Sequence, residues 1–296
     1  MIRFPVPPPA LPARIDAHDP KWRDKAAKRI EKFRKGKGYA EKSSIWSEVK
    51  PIYMTLQGEN KCIYCERKFG SVQTSTVEHD LEHFRPKSHV ASWQLPVGLQ
   101  GMGITLTMPD PGNKGYYLLP YNLENYSSSC KTCNTCYKLD HFPVAGTYRM
   151  LGENPRLLLS EQPLLIYPVG DWDIDPETVI SFLGHIPQAG PSASPHYHRG
   201  LVTIAFFGLD DIDLRSDLFL ERAIIITSIY PFLEDANSPA NSAAKRATAQ
   251  QRIDRWTSQK SPHANCARSF ERLFKNDRAQ ADACYEKADK YWGSKS

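Results

Sequence analysis

The chain lacks any apolar stretch long enough to cross a bilayer. Its richest run, Leu201 to Leu209 with Val202, Ile204, Phe206 and Phe207, falls far short of the roughly 18 residues a transmembrane helix needs. The N-terminus has no continuous apolar core either: Met1-Ile2-Arg3-Phe4-Pro5 leads into Pro7, Pro8 and Pro9, which does not read as a signal peptide. These two absences predict a cytoplasmic protein in a reducing compartment, whose cysteines need an explanation other than disulfides. Internal repeats are also missing, and no low-complexity segment occurs beyond the proline run, which excludes repeat architectures.

The 296 residues are 41% hydrophobic and 24% charged, the composition of a soluble globular protein rather than a disordered one. The net charge of +5 is modest but uneven. Nine basic residues lie between Lys21 and Lys37 (Lys21, Arg23, Lys25, Lys28, Arg29, Lys32, Arg34, Lys35, Lys37), against Asp24 and Glu31 alone. Such a cluster attracts polyanions, or it is simply a solvated helix face.

Trp22, Ala26, Ile30 and Phe33 recur at helical spacing and predict a helix stopped by Gly36 and Gly38. A second is expected from Ser43-Ser44 through Leu56, with Pro51 bending it or marking its true start. Trp93 to Gly115, rich in Gly and Pro, reads as a long loop. Beyond Gly146 the chain reads as helical. Leu214 to Glu234 predicts a buried helix, and Asn265 onward a single long C-terminal helix carrying Cys266 and Cys284 on its apolar face. His196-Tyr197-His198 falls in a Pro, Ser and Gly-rich segment and is expected in an exposed loop.

Seven cysteines are present. Cys62 and Cys65 form one Cys-x2-Cys pair, and Cys130 and Cys133 another. A two-residue spacer lets both thiolates of a pair face one ion, and four thiolates at about 2.3 Å close a structural zinc site with no position open to substrate. The alternative is separate buried thiols. Cys136, one turn past Cys133, competes as a ligand.

Between the pairs lies Glu78-His79-Asp80-Leu81-Glu82-His83-Phe84-Arg85-Pro86-Lys87, then Asn122-Leu123-Glu124-Asn125, with Asn134 directly after Cys133 and Lys138 beyond it. In this order the motifs resemble a zinc-knuckle HNH endonuclease. The resemblance implies a ββα-metal element in which His83 is the general base, Glu82 a ligand of a catalytic Mg²⁺ or Mn²⁺, Asn125 a brace and Asn134 a second metal ligand. Imidazole suits deprotonation of water near neutral pH, and carboxylate and amide oxygens are hard ligands suited to those ions. Adjacent strand residues point to opposite faces, so Glu82 and His83 can serve one site only at a bulge or a strand end. Glu78-His79 rivals the 82/83 pair, with His79 otherwise an accessory ligand or a surface residue, and Asn122 rivals Asn125. Arg85, Lys87 and Lys138 are candidate phosphate contacts.

More narrowly, the stretch from Cys62 to Phe142 resembles the HNH nucleases of bacterial anti-phage defence, of Septu and retron-associated type, which act beside an ABC or SMC-like ATPase. The resemblance implies a nuclease acting on DNA or RNA with such a partner. A zinc-stabilised binding module without catalysis is the alternative. The expected architecture is α+β and mostly helical: an N-terminal helical region (1–58) holding the basic segment, a central ββα-metal element with a four-cysteine zinc knuckle (59–146), and a helical C-terminal region (147–296).

Overall fold

The computed structural model describes residues 1–295, the side chain of Thr76 excepted. The protein is α+β and mostly helical, with two small two-stranded sheets.

Apolar periodicity decides the N-terminal helices. Leu11 and Ile15, four residues apart, bury one face of α1 (Ala10–His18). No local signal in the sequence singles out this helix, since prolines crowd the chain before it. Pro9 instead sits just outside the first turn, where a missing N–H costs nothing. Helix α2 (Trp22–Gly36) buries Trp22, Ala26 and Phe33 as its spacing predicts. Its stop differs in detail: Lys37, not a glycine, takes the left-handed conformation (φ 53°), and the Gly38 amide returns to the Phe33 carbonyl. Pro51 marks the start of α3 (Lys50–Leu56), after a 3₁₀ turn at Trp46–Val49.

Strands β1 (His79–His83) and β2 (Tyr126–Cys130) pair antiparallel without a bulge, from His79 opposite Cys130 to His83 opposite Tyr126. The Gln57 side chain both donates to the Ser128 carbonyl and accepts from its amide, which ties α3 to β2. A π-helical turn, Thr132–Lys138, follows β2 directly. The 93–115 segment is a loop whose only regular piece is a 3₁₀ turn at Val97–Leu99, and single bridges at Ala91–His141 and Thr107–Val144 pin it down.

The C-terminal half differs from expectation in three places. A hairpin, β3 (Ile180–Leu183) and β4 (Ile186–Ala189), interrupts it, turning at Gly184 with φ 62°. Tyr197 and His198 open helix α4 (Tyr197–Phe206) instead of lying in a loop. The long C-terminal helix is two helices, α7 (Ala264–Asn276) and α8 (Arg278–Gly293). Asp277 breaks it by adopting an extended backbone and accepting from the Gln280 amide, which caps α8. Helices α5 (Ser216–Asn237), α6 (Ala243–Thr257), α7 and α8 enclose one hydrophobic cluster with Phe182 of β3. A second, larger cluster takes side chains from all three expected segments, from Ile2 and Trp22 through Phe84 to Phe207.

Arg85, two residues after the end of β1, is buried among aromatic side chains of the larger cluster. Its guanidinium is fully buried and ion-paired with the equally buried Glu161 at 3.1 Å. The rings of Phe142, Phe84, Tyr116 and Trp172 surround it at 5.0 to 6.0 Å. Glu161 also accepts from Tyr116 Oη and the Arg149 amide. Truncating one partner of a buried pair strands the other, so Glu161→Ala should cost about 3–5 kcal/mol in urea unfolding. A loss below about 1 kcal/mol, the scale of a surface pair, would show that water reaches the guanidinium.

Candidate metal centre and catalytic cleft

The two cysteine pairs arrive from different parts of the chain. Cys62 and Cys65 lie on a tight turn closed by the Cys62 amide donating to the Arg67 carbonyl, with Glu66 left-handed at φ 62°. Cys130 ends β2, and Cys133 follows on the π-helical turn, its amide 3.4 Å from Cys130 Sγ. All four are buried, and their sulfurs lie within 4.8 Å of one another. Cys65 and Cys130 Sγ are 3.8 Å apart, which matches the edge of a tetrahedron built on zinc–sulfur bonds of about 2.3 Å. Hydrogen bonds from Cys130, Cys133 and Cys62 hold the Cys65 thiol well below its ordinary range, and the same contacts push Cys133 well above. Four buried sulfurs this close together can hold a metal such as zinc. Arg215, buried against the cluster with Nη2 3.7 Å from Cys133 Sγ, would offset part of the excess negative charge if all four bound a dication as thiolates. Cys136 is exposed and outside the group, while Cys266 and Cys284 belong to the C-terminal cluster.

Next to this centre, β1, the π-helical turn and the segment around Trp46 border a cleft of about 430 Å³ that Glu82, His83, Lys87 and Asn134 all line. Glu82 and His83 share it because His83 is the last residue of β1, where the alternation of the strand ends. The His83 ring stands edge-on to Trp46 and Tyr126, and its Nε2 lies 3.1 Å from the Pro120 carbonyl. A carbonyl only accepts, so Nε2 carries the proton and Nδ1 keeps its lone pair. Burial, reinforced by the Lys87 and Lys138 charges, holds the imidazole well below its ordinary pKa and therefore neutral.

Burial pushes the Glu82 carboxyl up to about 7, against the lowering effect of Lys138, whose Nζ is 3.3 Å from Oε1. Lys138 meets that oxygen as an ion pair without hydrogen-bond geometry. Asn125, fully buried, accepts from the Arg85 amide at 2.8 Å and donates to the Arg85 and Leu119 carbonyls, so it ties the chain leaving β1 to the turn before β2. Asn122 instead caps the short turn at Leu123–Asn125. Asn134 donates to Asp80 Oδ2 at 3.1 Å.

Two of the three expected phosphate contacts are corrected. Arg85 is sealed in the core with Glu161, and Lys138 is fully buried against Glu82, so neither presents its charge to solvent. Lys87 does line the cleft, its ammonium 4.7 Å from the Trp46 ring centre. His79 is not a surface residue: it is buried, hydrogen-bonded to Ser128 Oγ and packed on Phe69.

Asp80 went unnoticed in the sequence. It shares a strand face with Glu82 two residues on, lines the cleft and takes hydrogen bonds from Asn134 and Lys131. The period-two spacing of the two acids was the available signal. Among the described residues, the four cysteines are the one group of three or more His, Cys, Asp and Glu side chains close enough to hold a metal by themselves. Any ion in the cleft would therefore complete its shell with the Asn134 amide, water or substrate oxygens.

No protein-family model, curated protein or solved structure matches this chain.

The protein purified under reducing conditions should carry one equivalent of zinc by elemental analysis. Cys65→Ser or Cys130→Ser should lose it and lower the melting temperature, whereas Cys136→Ser should leave both unchanged. Full zinc content in Cys65→Ser would remove that residue from the ligand set.

Proposed function

We propose that the protein is a metal-dependent HNH-type endonuclease that hydrolyses phosphodiester bonds, with β1, β2 and the π-helical turn as its ββα-metal element. The observation that carries the reading is His83: a neutral imidazole at a cleft, its Nε2 tied to a backbone carbonyl, its Nδ1 free to take a proton, and a buried carboxylate on the adjacent residue. In this mechanism His83 Nδ1 removes a proton from the attacking water, the Pro120 carbonyl holds the ring through Nε2, and Asn125 braces the backbone at Arg85 and Leu119. Glu82, whose Oε1 meets Lys138 as an ion pair without hydrogen-bond geometry, and Asn134 would hold a Mg²⁺ or Mn²⁺ ion. When bound, that ion would neutralise charge gathering on the scissile phosphate and its leaving oxygen. Lys87 at the cleft wall is the remaining phosphate contact of the three first considered. The four-cysteine zinc centre would serve the fold, as closed sites do.

A bacterial anti-phage role beside an ABC or SMC-like ATPase is part of the proposal, and the motif resemblance from Cys62 to Phe142 is its support. The second reading, a zinc-stabilised binding module without catalysis, draws on Lys138, whose ammonium already balances the Glu82 carboxylate where a catalytic ion would sit.

A cleavage assay separates the two. Wild-type protein with Mg²⁺ or Mn²⁺ is incubated with duplex DNA, single-stranded DNA or tRNA, alone and with the candidate ATPase. His83→Ala should reduce cleavage at least ~100-fold, the usual scale of a lost general base. Undiminished cutting by that variant would sink the catalytic assignment, and binding without cutting in every combination would favour the module.

A further inference from the structure

The basic segment found in the sequence is only partly spent on ion pairs. Arg23 pairs with Asp16, Lys25 with Asp19, Arg29 with Glu41, and Arg34 with Glu31 and Glu153. Lys28, Lys32 and Lys37 enter no ion pair among the described residues. Where α2 ends, Lys32 and Lys37 meet Lys114, from the long loop, around a groove of about 480 Å³ that no acidic side chain lines. Lys114 donates to the Lys37 carbonyl at 2.9 Å, which fixes the loop lysine beside the helix. Gly36 and Gly38 keep the groove floor clear of side chains, and a Cβ at Gly36 would meet nothing within 4 Å.

This groove adjoins the cleft. Ser88 lines both. Tyr39 stands in the groove, and its ring lies 5.7 Å from the ammonium of Lys87, which lines the cleft. The carbonyl end of α2 opposes an anion with roughly half a unit charge, but three full lysine charges outweigh it, and Lys114 already occupies one of those carbonyls.

We propose that the groove formed by Lys32, Lys37 and Lys114 binds the phosphodiester backbone of nucleic acid, carrying the strand from α2 past Tyr39 and Ser88 into the His83 cleft. Lysines that line one groove with an aromatic side chain, whose hydroxyl here donates to Glu41 outside the groove lining, are the arrangement that tracks a nucleic-acid backbone without reading its sequence. The inference deepens the nuclease reading, which supplies the strand's destination, but its test does not depend on cleavage.

The test measures anisotropy of a fluorescein-labelled 20-nucleotide DNA, single-stranded and duplex, at several salt concentrations without added divalent metal, with probe integrity checked on a gel. Replacing Lys32, Lys37 and Lys114 together by Ala should weaken binding on the order of ten- to a hundredfold and lower the slope of log K against log salt by about 2 to 3, the contribution of three phosphate contacts. Replacing all three by Arg should restore affinity and slope, which separates charge from the loss of the Lys114 hydrogen bond. Lys245→Ala/Lys287→Ala, on α6 and α8, should change neither. An unchanged slope in the alanine variant, or no binding by the wild type at low salt, overturns the proposal. So does poly-glutamate displacing the DNA at equal charge concentration, which would assign the groove to an acidic protein. Lysine-dependent binding, together with no cleavage by the wild type in the separate Mg²⁺ or Mn²⁺ assay with and without the ATPase, would leave the groove standing and remove the nuclease reading alone.

Discussion

Four sulfurs within 4.8 Å of one another are the constraint on which the arrangement around the cleft depends. They join a turn at residues 62–65 to the end of β2 and the π-helical turn beyond it, segments separated by more than sixty residues of chain. Once β2 is anchored there, its pairing with β1 sets the places of Asp80, Glu82 and His83, and the turn that holds Cys133 also holds Asn134 and Lys138. A metal at this centre would stabilise the clasp directly, because bringing distant ligands together is part of the folding free energy. Arg215 extends the same influence into the C-terminal half through its contact with Cys133.

Around that clasp, charges are used in two opposed ways. Arg85, Lys138 and Glu161 are buried and matched to partners, where their value lies in fixing the packing around β1. Lys87, Lys32, Lys37 and Lys114 remain at a cleft or groove and enter no ion pair among the described residues. The same side-chain types thus divide between structure and surface according to the desolvation cost of each position, which can be met inside only with a partner. A candidate phosphate-binding residue must belong to the second set. That requirement moves the electrostatic footprint away from the Phe84-Arg85-Pro86 motif and toward α2 and the long loop.

The neutral state of His83 comes from a different balance. Its ring is enclosed by Trp46 and Tyr126 and lies near two lysines, so the protonated form is disfavoured by both desolvation and repulsion. Pro120 selects which nitrogen bears the proton. Glu82 experiences the same burial with the opposite result, since the charged form of a carboxylate is the one that burial penalises, and Lys138 offsets only part of that.

The sequence by itself determined the elements whose signal is local. Four-residue apolar spacing specified α2, the two-residue spacer specified each cysteine pair, and the neighbouring Glu82 and His83 singled out a stretch that lines the cleft. It also determined that no helix is long and apolar enough to cross a membrane. Local signals failed where a single residue overrode a pattern: Asp277 divides an otherwise continuous apolar stripe into α7 and α8, and the Gly184 turn makes a hairpin in a stretch that reads as helical. Only the tertiary structure decided which charges are buried, that Cys136 stands apart from the other four, that Asp80 joins Glu82 at the cleft, and that Lys114 meets the end of α2. The physical reason is common to all of these. Burial, pairing and proton position depend on what the rest of the chain brings within a few ångströms, and residues far apart in the chain, such as Lys114 and Lys37, leave no periodic trace of their meeting.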